Sequence, residues 1–295
     1  MTRQNLPQFD HLWEYVEYWN NKDPSFPAVR YKDQTISSQE FQLDSDHLAQ
    51  SLLEIGLDKG DRIVTVLPPI PEYVVLLIAA NKIGAIVVPM DIRYRHADFI
   101  RLIPQIDPVL IISIISNDKT NFQEMLIQLI EEGKISQHVQ FLFLGQPTFG
   151  RNYYDLFKTE NHLQKELEER KNQLTKDDDF LIVWTGGTTG FPKAAILTNN
   201  NFVRMCLLEN DILRDGLVLR GITGRVKYLA NLPVSHVGGS VELLGVGVIG
   251  GYETIIHDRW SSTKTLETIH KEKINVLLAA PTMYRIMMTH KKFKS

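Results

Sequence analysis

Apolar residues recur along this chain in two alternating patterns. Helical spacing predicts helices over residues 9–19 and 38–55, the second ending before Gly56, with a short hairpin between them over 28–36. From residue 61 to 144, short runs rich in Val, Ile and Leu alternate with segments of helical spacing. Strands that are apolar on both faces and alternate with helices are typical of a parallel sheet covered on both sides. The pattern therefore predicts an α/β fold.

A polar stretch separates this region from a second series of strands and helices. Residues 149–179 are rich in charge and predict a surface connection that contains a helix, whereas residues 209–225 are interpreted as a link to a second subdomain. The other predicted elements are strands over 180–184, 194–197, 227–231, 254–257 and 276–279, and helices from Thr198, after Gly239, over 263–271 and from Pro281 to about His290. One subdomain is thus expected over about 60–200, and a second from about 9–56 together with 226–290.

Composition places the chain among ordinary globular proteins. Apolar residues make up 43% and charged residues 23%, and the formal net charge is -3. No basic stripe with interleaved aromatic residues is present, so nucleic acid is not an expected partner. The one cysteine, Cys206, lies in an apolar run and is expected to be a buried hydrophobic residue. A single cysteine excludes an intramolecular disulfide and fits a reducing compartment.

The most apolar stretch, residues 73–90, is interrupted by Asn81, Lys82 and Gly84. It is therefore expected to be a buried helix followed by a buried strand rather than a membrane span. The first residues contain no continuous apolar run typical of a secretory signal. The chain is predicted to be cytoplasmic.

The segment from Trp184 to Ala195, WTGGTTGFPKAA, carries the clearest candidate chemistry. Glycines allow backbone amides to approach a phosphate closely, threonine hydroxyls add donors, and a lysine adds a positive charge. The candidate phosphate-binding residues are Thr185, Gly186, Gly187, Thr188, Thr189, Gly190 and Lys193. A P-loop kinase or GTPase is excluded on pattern, because Pro192 precedes the lysine and Ala194 follows it. On the residues alone, a flexible hairpin turn is an equally good alternative.

No pattern along the chain predicts a metal site. Asp177, Asp178 and Asp179 are adjacent, and because adjacent side chains do not converge on one ion, a solvated turn is favoured. The nine histidines show no metal-ligand spacing. Metal ligands therefore stay unassigned.

The longer segment from Trp184 to Phe202, WTGGTTGFPKAAILTNNNF, resembles the phosphate-loop signature of the acyl-adenylate-forming (AMP-dependent synthetase/ligase) superfamily. Its members include acyl-CoA synthetases, luciferases and non-ribosomal adenylation domains, and the usual form is roughly YTSGTTGxPKGVxLTHxN. The matching positions are Thr185, Gly187, Thr188, Thr189, Gly190, Pro192, Lys193, Thr198 and Asn201. Gly186, Ala194 and Asn199 replace the usual serine, glycine and histidine.

Three more segments resemble motifs of the same superfamily, in the same order along the chain. They are residues 48–91, the sequence LANLPVSHVGG over 229–239 and the sequence VLLAAPT over 276–282. The resemblance implies the large N-terminal domain of such an enzyme, with two mostly parallel sheets covered by helices. It also implies that the substrate pocket is bordered by His236, Val237, Gly238 and Gly239. On the residues alone a lone histidine is more often a packed structural one, whereas the resemblance implies a pocket wall or gate.

The resemblance further implies a reaction that uses ATP, Mg²⁺ and coenzyme A. A substrate carboxylate attacks the α-phosphate of ATP, giving an acyl-adenylate and pyrophosphate, and a second step commonly passes the acyl group to the thiol of coenzyme A. Residues 233–236 contain no acid, whereas adenylation domains for α-amino acids usually have an aspartate there. Because a buried ammonium group needs a partner, a simple carboxylic acid is the expected substrate.

Other motifs of the superfamily are absent from the 295 residues. They are the aromatic-Gly-x-Thr-Glu motif for adenine and magnesium, the Thr-Gly-Asp motif for ribose, the hinge, and the C-terminal lid domain with its lysine. The chain is therefore expected to be a truncated or split acyl-CoA ligase, inactive alone and complemented by a C-terminal polypeptide. The alternatives are a non-catalytic remnant that binds phosphate or a partner, and a hydrolase or transferase that uses the same loop differently. Uncovered sheet edges and apolar faces are expected to cause poor solubility or oligomerisation.

Overall fold

Strands and helices alternate along most of the chain, in the order that the apolar pattern predicts. The structure, a computed structural model, describes residues 6–158, 162–185, 192–222 and 224–293. The strands are β1 Pro27–Tyr31, β2 Gln34–Ser37, β3 Arg62–Val66, β4 Ile86–Pro89, β5 Leu110–Ile114, β6 Ser116–Asn117, β7 Thr120–Asn121, β8 Gln140–Leu144, β9 Arg151–Asn152, β10 Asp179–Thr185, β11 Lys193–Thr198, β12 Lys227–Ala230, β13 Glu253–Ile256 and β14 Val276–Leu277.

Helices connect most of these strands. They are α1 Leu12–Lys22, α2 Ser38–Glu54, α3 Pro71–Ile83, α4 His96–Leu102, α5 Phe122–Glu131, α6 Gln164–Asn172, α7 Asn199–Leu219, α8 Val237–Ser240, α9 Ser262–Glu272 and α10 Pro281–Thr289. A π-helix over Val241–Ile249 follows α8, and short 3₁₀ helices span Ile103–Gln105, Tyr153–Lys158 and Lys291–Phe293.

The described residues divide into two units. Unit 1 takes its residues from 6–43, 69–74 and 200–293, and unit 2 from 44–68 and 75–199. Within the described parts of the chain, unit 2 holds a seven-stranded sheet in the order β11-β10-β4-β3-β5-β8-β9 and the small hairpin β6-β7. Unit 1 holds a five-stranded sheet in the order β14-β12-β13-β1-β2. These sheets confirm the predicted α/β fold.

The sheet of unit 2 is parallel from β10 to β9, and β11 runs antiparallel beside β10. The continuous apolar runs of β3, β4 and β5 are buried along nearly their whole length. Their side chains share one core with those of α5, in which Val64, Val88, Ile111 and Phe122 are fully buried. Burial on both faces explains why these strands lack an alternating polar pattern.

In unit 1, strands β14, β12, β13 and β1 are parallel, and β2 returns beside β1 as the predicted hairpin. Arg30 of β1 ties this sheet to a helix, because its Nη1 lies 3.0 Å from Glu253 Oε1 on β13 and 2.7 Å from Glu272 Oε2 on α9. These ion pairs are partly buried, so they fix the position of α9 against the strands more firmly than exposed pairs would.

The interpretation of residues 209–225 as a link was wrong for their first half, since α7 continues to Leu219. The polar residues that suggested a link include Asn210, which is fully buried and donates from Nδ2 to the carbonyls of Cys206 and Gly245 at 2.9 and 2.7 Å. Gly245 of the π-helix has no room for a side chain, because an added Cβ would lie 2.2 Å from Cys206 Sγ. Asn210 and Cys206 of α7 contact the π-helix, and no local sequence pattern reveals these contacts. They favour an α7 that is longer than predicted.

The apolar stretch over 73–90 forms part of α3 and then β4, as predicted. Among the helices in the described parts of the chain, none combines the length and the apolar content that a bilayer crossing requires.

Candidate functional site

The first group of candidate residues stands where β10 ends. Strands β3, β4 and β10 run in the same direction, so their carboxyl ends share one edge of the sheet. Ligands of open α/β sheets bind beyond this carboxyl edge. β10 ends there with Thr185, and β11 starts with Lys193 directly opposite. The hairpin therefore presents the two ends of the predicted phosphate loop at the edge where ligands are held.

Thr185 and Lys193 are brought together by the strand pairing. The Thr185 hydroxyl donates to the Lys193 carbonyl oxygen at 3.3 Å, and both side chains are exposed. Within the described residues, no carboxylate forms an ion pair with the Lys193 ammonium group. The other predicted loop residues, Gly186, Gly187, Thr188, Thr189 and Gly190, lie outside the described residues. The arrangement leaves a mobile positive charge available to an anion at the end of the hairpin.

Side chains on either strand hold this hairpin in place. Trp184, next to Thr185, is buried, and its Nε1 lies 3.2 Å from Met90 Sδ beyond β4. At the other end of the hairpin, Asn199 is buried and accepts from Asn81 Nδ2 at 2.6 Å. Asn199 also donates from Nδ2 to the Asp178 carbonyl at 3.2 Å. The superfamily motif usually has histidine at the position of Asn199. In this chain the asparagine thus has a structural role.

Of the three adjacent aspartates, Asp177 and Asp178 lie in the turn before β10, and Asp179 is the first residue of that strand. The Asp178 carboxylate accepts from the Thr175 amide at 2.7 Å and pairs with Lys59 Nζ at 2.7 Å. Burial alone would raise the pKa of Asp178, but the Lys59 ammonium and the Thr175 amide outweigh it and hold the pKa below its usual value. Among the described residues, no group of three or more His, Cys, Asp or Glu side chains is placed to hold a metal ion.

An ion pair between a buried carboxylate and an exposed arginine, which the sequence analysis did not single out, lies at the same carboxyl edge. Asp91 follows β4 and is buried, and Arg93 contacts it through Nε at 2.8 Å and Nη2 at 2.5 Å. The Arg93 amide also donates to Asp91 Oδ1 at 2.8 Å. These bonds fix the turn that leaves the strand. The Asp-x-Arg spacing was the available signal, but it is common in ordinary turns.

The second group of candidate residues follows a tight turn after β12, in unit 1: His236 directly precedes α8, and Val237, Gly238 and Gly239 belong to that helix. His236 and Val237 are exposed, Gly238 is half-buried and Gly239 is buried. The His236 amide donates to the Pro233 carbonyl at 3.2 Å, which closes the turn before α8. A Cβ on Gly239 would lie 2.0 Å from the Pro233 carbonyl oxygen, so glycine is required there by space alone. The exposed His236 and Val237 are available to line a pocket, whereas Gly239 shapes the turn that carries them.

Buried hydroxyl groups stabilise this turn through hydrogen bonds. Ser240 is fully buried, its Oγ donates to the Val234 carbonyl at 2.8 Å, and the Tyr73 hydroxyl lies 3.2 Å from the same Oγ. Because the Ser240 hydroxyl donates its proton to the Val234 carbonyl, the Tyr73 hydroxyl is the donor in the Tyr73–Ser240 hydrogen bond. Complete burial raises the pKa of Tyr73 well above its usual value, so the hydroxyl stays protonated and able to donate.

Asn231, which separates β12 from this turn, was not singled out by the sequence analysis. Its side chain is 2% exposed, yet within the described part of the chain neither Oδ1 nor Nδ2 has a hydrogen-bond partner. An unpaired buried amide costs about 1–3 kcal/mol, so such a group in a folded chain calls for an explanation. A lone asparagine has no sequence signal that would reveal this, because the absence of partners is a property of the folded chain.

Comparisons with known proteins identify relatives of the chain. Residues 16–295 match the family model described as AMP-binding enzyme. The chain is similar to the putative acyl-CoA synthetase YngI of Bacillus subtilis (strain 168), being 29% identical over 288 residues that cover 92% of this chain and 51% of that protein. The chain spans about half the length of the curated relatives that it matches.

Solved structures share the fold. The putative long-chain-fatty-acid CoA ligase from Rhodopseudomonas palustris superposes with a TM-score of 0.75 at 17% identity, covering 94% of this chain and 65% of that one. The N-terminal domain of FACL13 from Mycobacterium tuberculosis gives a TM-score of 0.72 at 18% identity, covering 97% of this chain and 67% of that domain.

Proposed function

Because the chain belongs to the family of AMP-binding enzymes, we propose that it takes part in the AMP-forming activation of a carboxylic acid by ATP, as an acyl-CoA ligase does. The observation that carries this proposal is the position of Lys193. It lies opposite Thr185 at the carboxyl edge of a parallel sheet and, among the described residues, has no carboxylate partner. The relative YngI, named as a putative acyl-CoA synthetase, supports coenzyme A as the acyl acceptor.

In the proposed reaction, an oxygen of the substrate carboxylate attacks the α-phosphorus of ATP. The bond from that phosphorus to the oxygen bridging to the β-phosphate breaks, and pyrophosphate leaves with the bonding electrons. Such a reaction is accelerated mainly by positioning the reactants and by stabilising charge that develops on the leaving group. We assign the second task to the Lys193 ammonium group, with Thr185 and residues 186–190 as neutral donors to the β- and γ-phosphates.

The described residues suit the phosphate chain of ATP but offer no cluster of ligands for Mg²⁺. No part in holding that ion is therefore assigned to them. The turn after β12 is proposed to border the acid, with His236 as a wall or gate. Because residues 233–236 contain no acid to pair with an ammonium group, a simple carboxylic acid is favoured over an α-amino acid.

Residues 1–295 alone are proposed to bind phosphate without completing the reaction. The chain spans about half the length of its relatives, and the adenine, ribose and lid motifs are absent from its sequence. The alternative, a non-catalytic phosphate- or partner-binding module, differs in one outcome. A catalytic part should regain activity when the remainder of a relative is supplied, and a non-catalytic module should not.

Binding of pyrophosphate and ATP tests the proposal, measured by isothermal titration calorimetry on the 295-residue chain. Lys193→Ala is expected to weaken pyrophosphate binding by about tenfold or more, because a charge-assisted contact contributes about 1.5–3 kcal/mol. Lys176→Ala is the matched control, since Lys176 is also exposed and precedes β10, at the opposite end of the hairpin from Lys193. Equal affinities for Lys193→Ala and the unchanged chain would overturn the assignment.

Carboxylate-dependent exchange of pyrophosphate into ATP tests the catalytic part. The chain alone is expected to show none, and exchange by it would contradict its proposed inactivity. A fusion of this chain to the remainder of YngI is expected to show exchange that Lys193→Ala reduces. A folded fusion that binds ATP without exchange would favour the non-catalytic module.

A further inference from the structure

Unit 1 carries a groove lined by charged side chains. Its volume is about 680 Å³, which is within the usual range of sites for small molecules. Its lining comes from the end of β1, the end of β13, α9 and the 3₁₀ helix over Lys291–Phe293. The cations that line it are Arg30, Lys32, Lys264, Lys271 and Lys292. We call it the basic groove, because segments that are separate in sequence bring positive charge to one place.

Ion pairs account for three of these cations. Arg30 pairs with Glu253 and Glu272, Lys292 pairs with Glu267, and Lys32 Nζ lies 3.6 Å from Asp258 Oδ2. Asp33, another carboxylate in the lining, is exposed. Among the described residues, Lys264 and Lys271 form no ion pair with a carboxylate. The groove therefore holds two ammonium groups whose charge no described side chain neutralises by direct contact.

Lys264 and Lys271 lie on the same face of α9. They are seven residues apart, which is about two helical turns or about 10 Å along the axis, and Thr268 stands between them on that face. Two flexible ammonium groups at this separation can reach one ligand. Lys264 is also in the first turn of α9, where the helix dipole disfavours a positive charge and favours a bound anion. Helix stability thus does not favour a lysine at this position, whereas an anionic ligand does.

The charge of Lys264 acts inside the groove, as the buried His257 in its lining shows. His257 is 3% exposed, and burial first and then the Lys264 charge lower its pKa to about 4. Its Nε2 lies 3.1 Å from Thr268 Oγ1, whereas Nδ1 has no hydrogen-bond partner among the described residues. A buried nitrogen without a partner calls for an explanation, and a ligand in the groove, or water that accompanies it, supplies one.

We propose that the basic groove binds a phosphorylated small molecule whose phosphate group is held by Lys264 and Lys271. A phosphate monoester carries more charge than a carboxylate and offers three acceptor oxygens, so it suits two lysines with a threonine hydroxyl between them. The groove is far larger than a phosphate ion, and Ile255 and Leu266 add apolar surface, which suits an organic group attached to the phosphate. The inference stands on residues of unit 1 and does not depend on Lys193.

Titration with inorganic phosphate and with glycerophosphate tests the proposal. The titration uses the 295-residue chain carrying Lys193→Ala, which removes the lysine assigned to the phosphate loop. Calorimetry gives the affinity, and NMR of the His257 imidazole shows where the probe binds. Both probes are expected to bind and to move the His257 signals, and glycerol is expected to do neither. Absence of binding by both probes, or binding that leaves the His257 signals unmoved, would overturn the proposal.

Substitutions in the groove test which groups hold the phosphate. Lys264→Gln combined with Lys271→Gln is expected to weaken glycerophosphate binding about tenfold or more, because it removes two charge-assisted contacts. Lys291→Gln is the matched control, since Lys291 is exposed and does not line the groove. Glu267→Gln removes a carboxylate from the groove and leaves Lys292 without its partner, so it is expected to strengthen binding about twofold or more. Equal affinities for the double variant and the control, or weaker binding in Glu267→Gln, would overturn the proposal.

Two other results would identify a different ligand. Inorganic phosphate that binds more tightly than glycerophosphate would assign the groove to the free ion. Tetraglutamate that binds more tightly than glycerophosphate would assign it to an acidic protein partner. Either result would overturn the proposal. Since every measurement is made without the Lys193 ammonium group, failure here is distinct from failure of the proposed function.

Discussion

The end of the β10–β11 hairpin and the turn after β12 hold the two groups of candidate residues, and their surroundings differ. Thr185 and Lys193 are exposed, and besides the pairing of their strands the Thr185 hydroxyl donates to the Lys193 carbonyl at 3.3 Å. The turn that carries His236 is instead packed from beneath, by Gly239 against Pro233 and by the buried Ser240. Substitutions at the hairpin end should therefore change binding with little change in stability. Substitutions beneath the turn should change stability first.

This difference between the exposed hairpin end and the packed turn matters when mutations in proteins of this fold are interpreted. A variant that loses activity after a change in the turn has not thereby identified a binding residue, because a displaced turn has the same result. Five predictions follow from this contrast, and each is a measurement of stability.

Gly239→Ala should have the largest effect. The added Cβ would lie 2.0 Å from the Pro233 carbonyl oxygen, so the turn has to move, at a cost of about 3 kcal/mol in the free energy of unfolding. Gly238→Ala is the matched control, since its Cβ would meet nothing nearer than Leu232 Cδ1 at 3.8 Å. Urea denaturation measures both. Equal losses in the two variants would show that the turn is not closely packed.

Acidification should destabilise the sheet that carries the turn. His257 follows β13, its amide donates to the Ala230 carbonyl at 2.9 Å, and burial, aided by the Lys264 charge, lowers its pKa to about 4. Below the unfolded pKa of about 6.5 the unfolded chain binds a proton that the folded chain does not. Stability should therefore fall as pH falls from about 6.5 to about 4, by on the order of 2 kcal/mol after allowance for solvent screening.

The measurement for His257 is the free energy of unfolding between pH 4 and pH 7. His257→Gln should flatten the dependence on pH, and His138→Gln, which changes an exposed histidine, should leave it as it is. Identical slopes for the unchanged chain and His257→Gln would contradict the prediction.

Ser240→Ala should cost about 2 kcal/mol and Tyr73→Phe about 1 kcal/mol. The serine change leaves both the Val234 carbonyl and the Tyr73 hydroxyl without their present partner, whereas the tyrosine change removes one donor from a serine that keeps its other bond. Because both changes remove the same Tyr73–Ser240 bond, the double variant should cost no more than Ser240→Ala alone. Additive losses in chemical denaturation would show that the two residues are not coupled.

Asn231→Leu should stabilise the chain by about 1 kcal/mol, because it replaces a buried amide that has no hydrogen-bond partner among the described residues with an apolar side chain of similar size. Asn210→Leu is the contrasting change, since Asn210 donates to the carbonyls of Cys206 and Gly245, and it should destabilise by about 2 kcal/mol. A loss of stability in both variants would show that Asn231 is satisfied in solution.

Elements with a strong local pattern could be predicted from the sequence. The β1–β2 hairpin, the buried strands β3 to β5 and the helix stop at Gly56, whose φ is +90°, all follow from apolar spacing and turn chemistry. The second half of α7 could not be predicted, because Asn210 is held by contacts with the π-helix, which is distant in sequence. β14 is also shorter than predicted. It ends at Leu277, whose carbonyl accepts a hydrogen bond from the Tyr284 hydroxyl.

The same division applies to the candidate sites. Thr185 and Lys193 could be found because a long, ordered motif contains them, and strand pairing puts them opposite each other. The central residues of that motif, 186–190, lie outside the described residues, and the phosphate contacts of the whole motif, Thr185 and Lys193 included, stay a prediction. Asn231 and the pair Asp91–Arg93 could not be singled out, because burial and partner geometry distinguish them and neither is visible in sequence.

Lys193→Ala should have the smallest effect on stability, within about 0.5 kcal/mol of the unchanged chain, as is usual for an exposed side chain without an ion-pair partner. Since the same change is expected to weaken pyrophosphate binding about tenfold or more, the two measurements separate a ligand contact from a structural one. Lys176→Ala should change neither quantity. A loss of more than about 1 kcal/mol in Lys193→Ala would mean that the lysine stabilises the hairpin itself. Its effect on binding would then be indirect, and the contrast between the exposed hairpin end and the packed turn would fail.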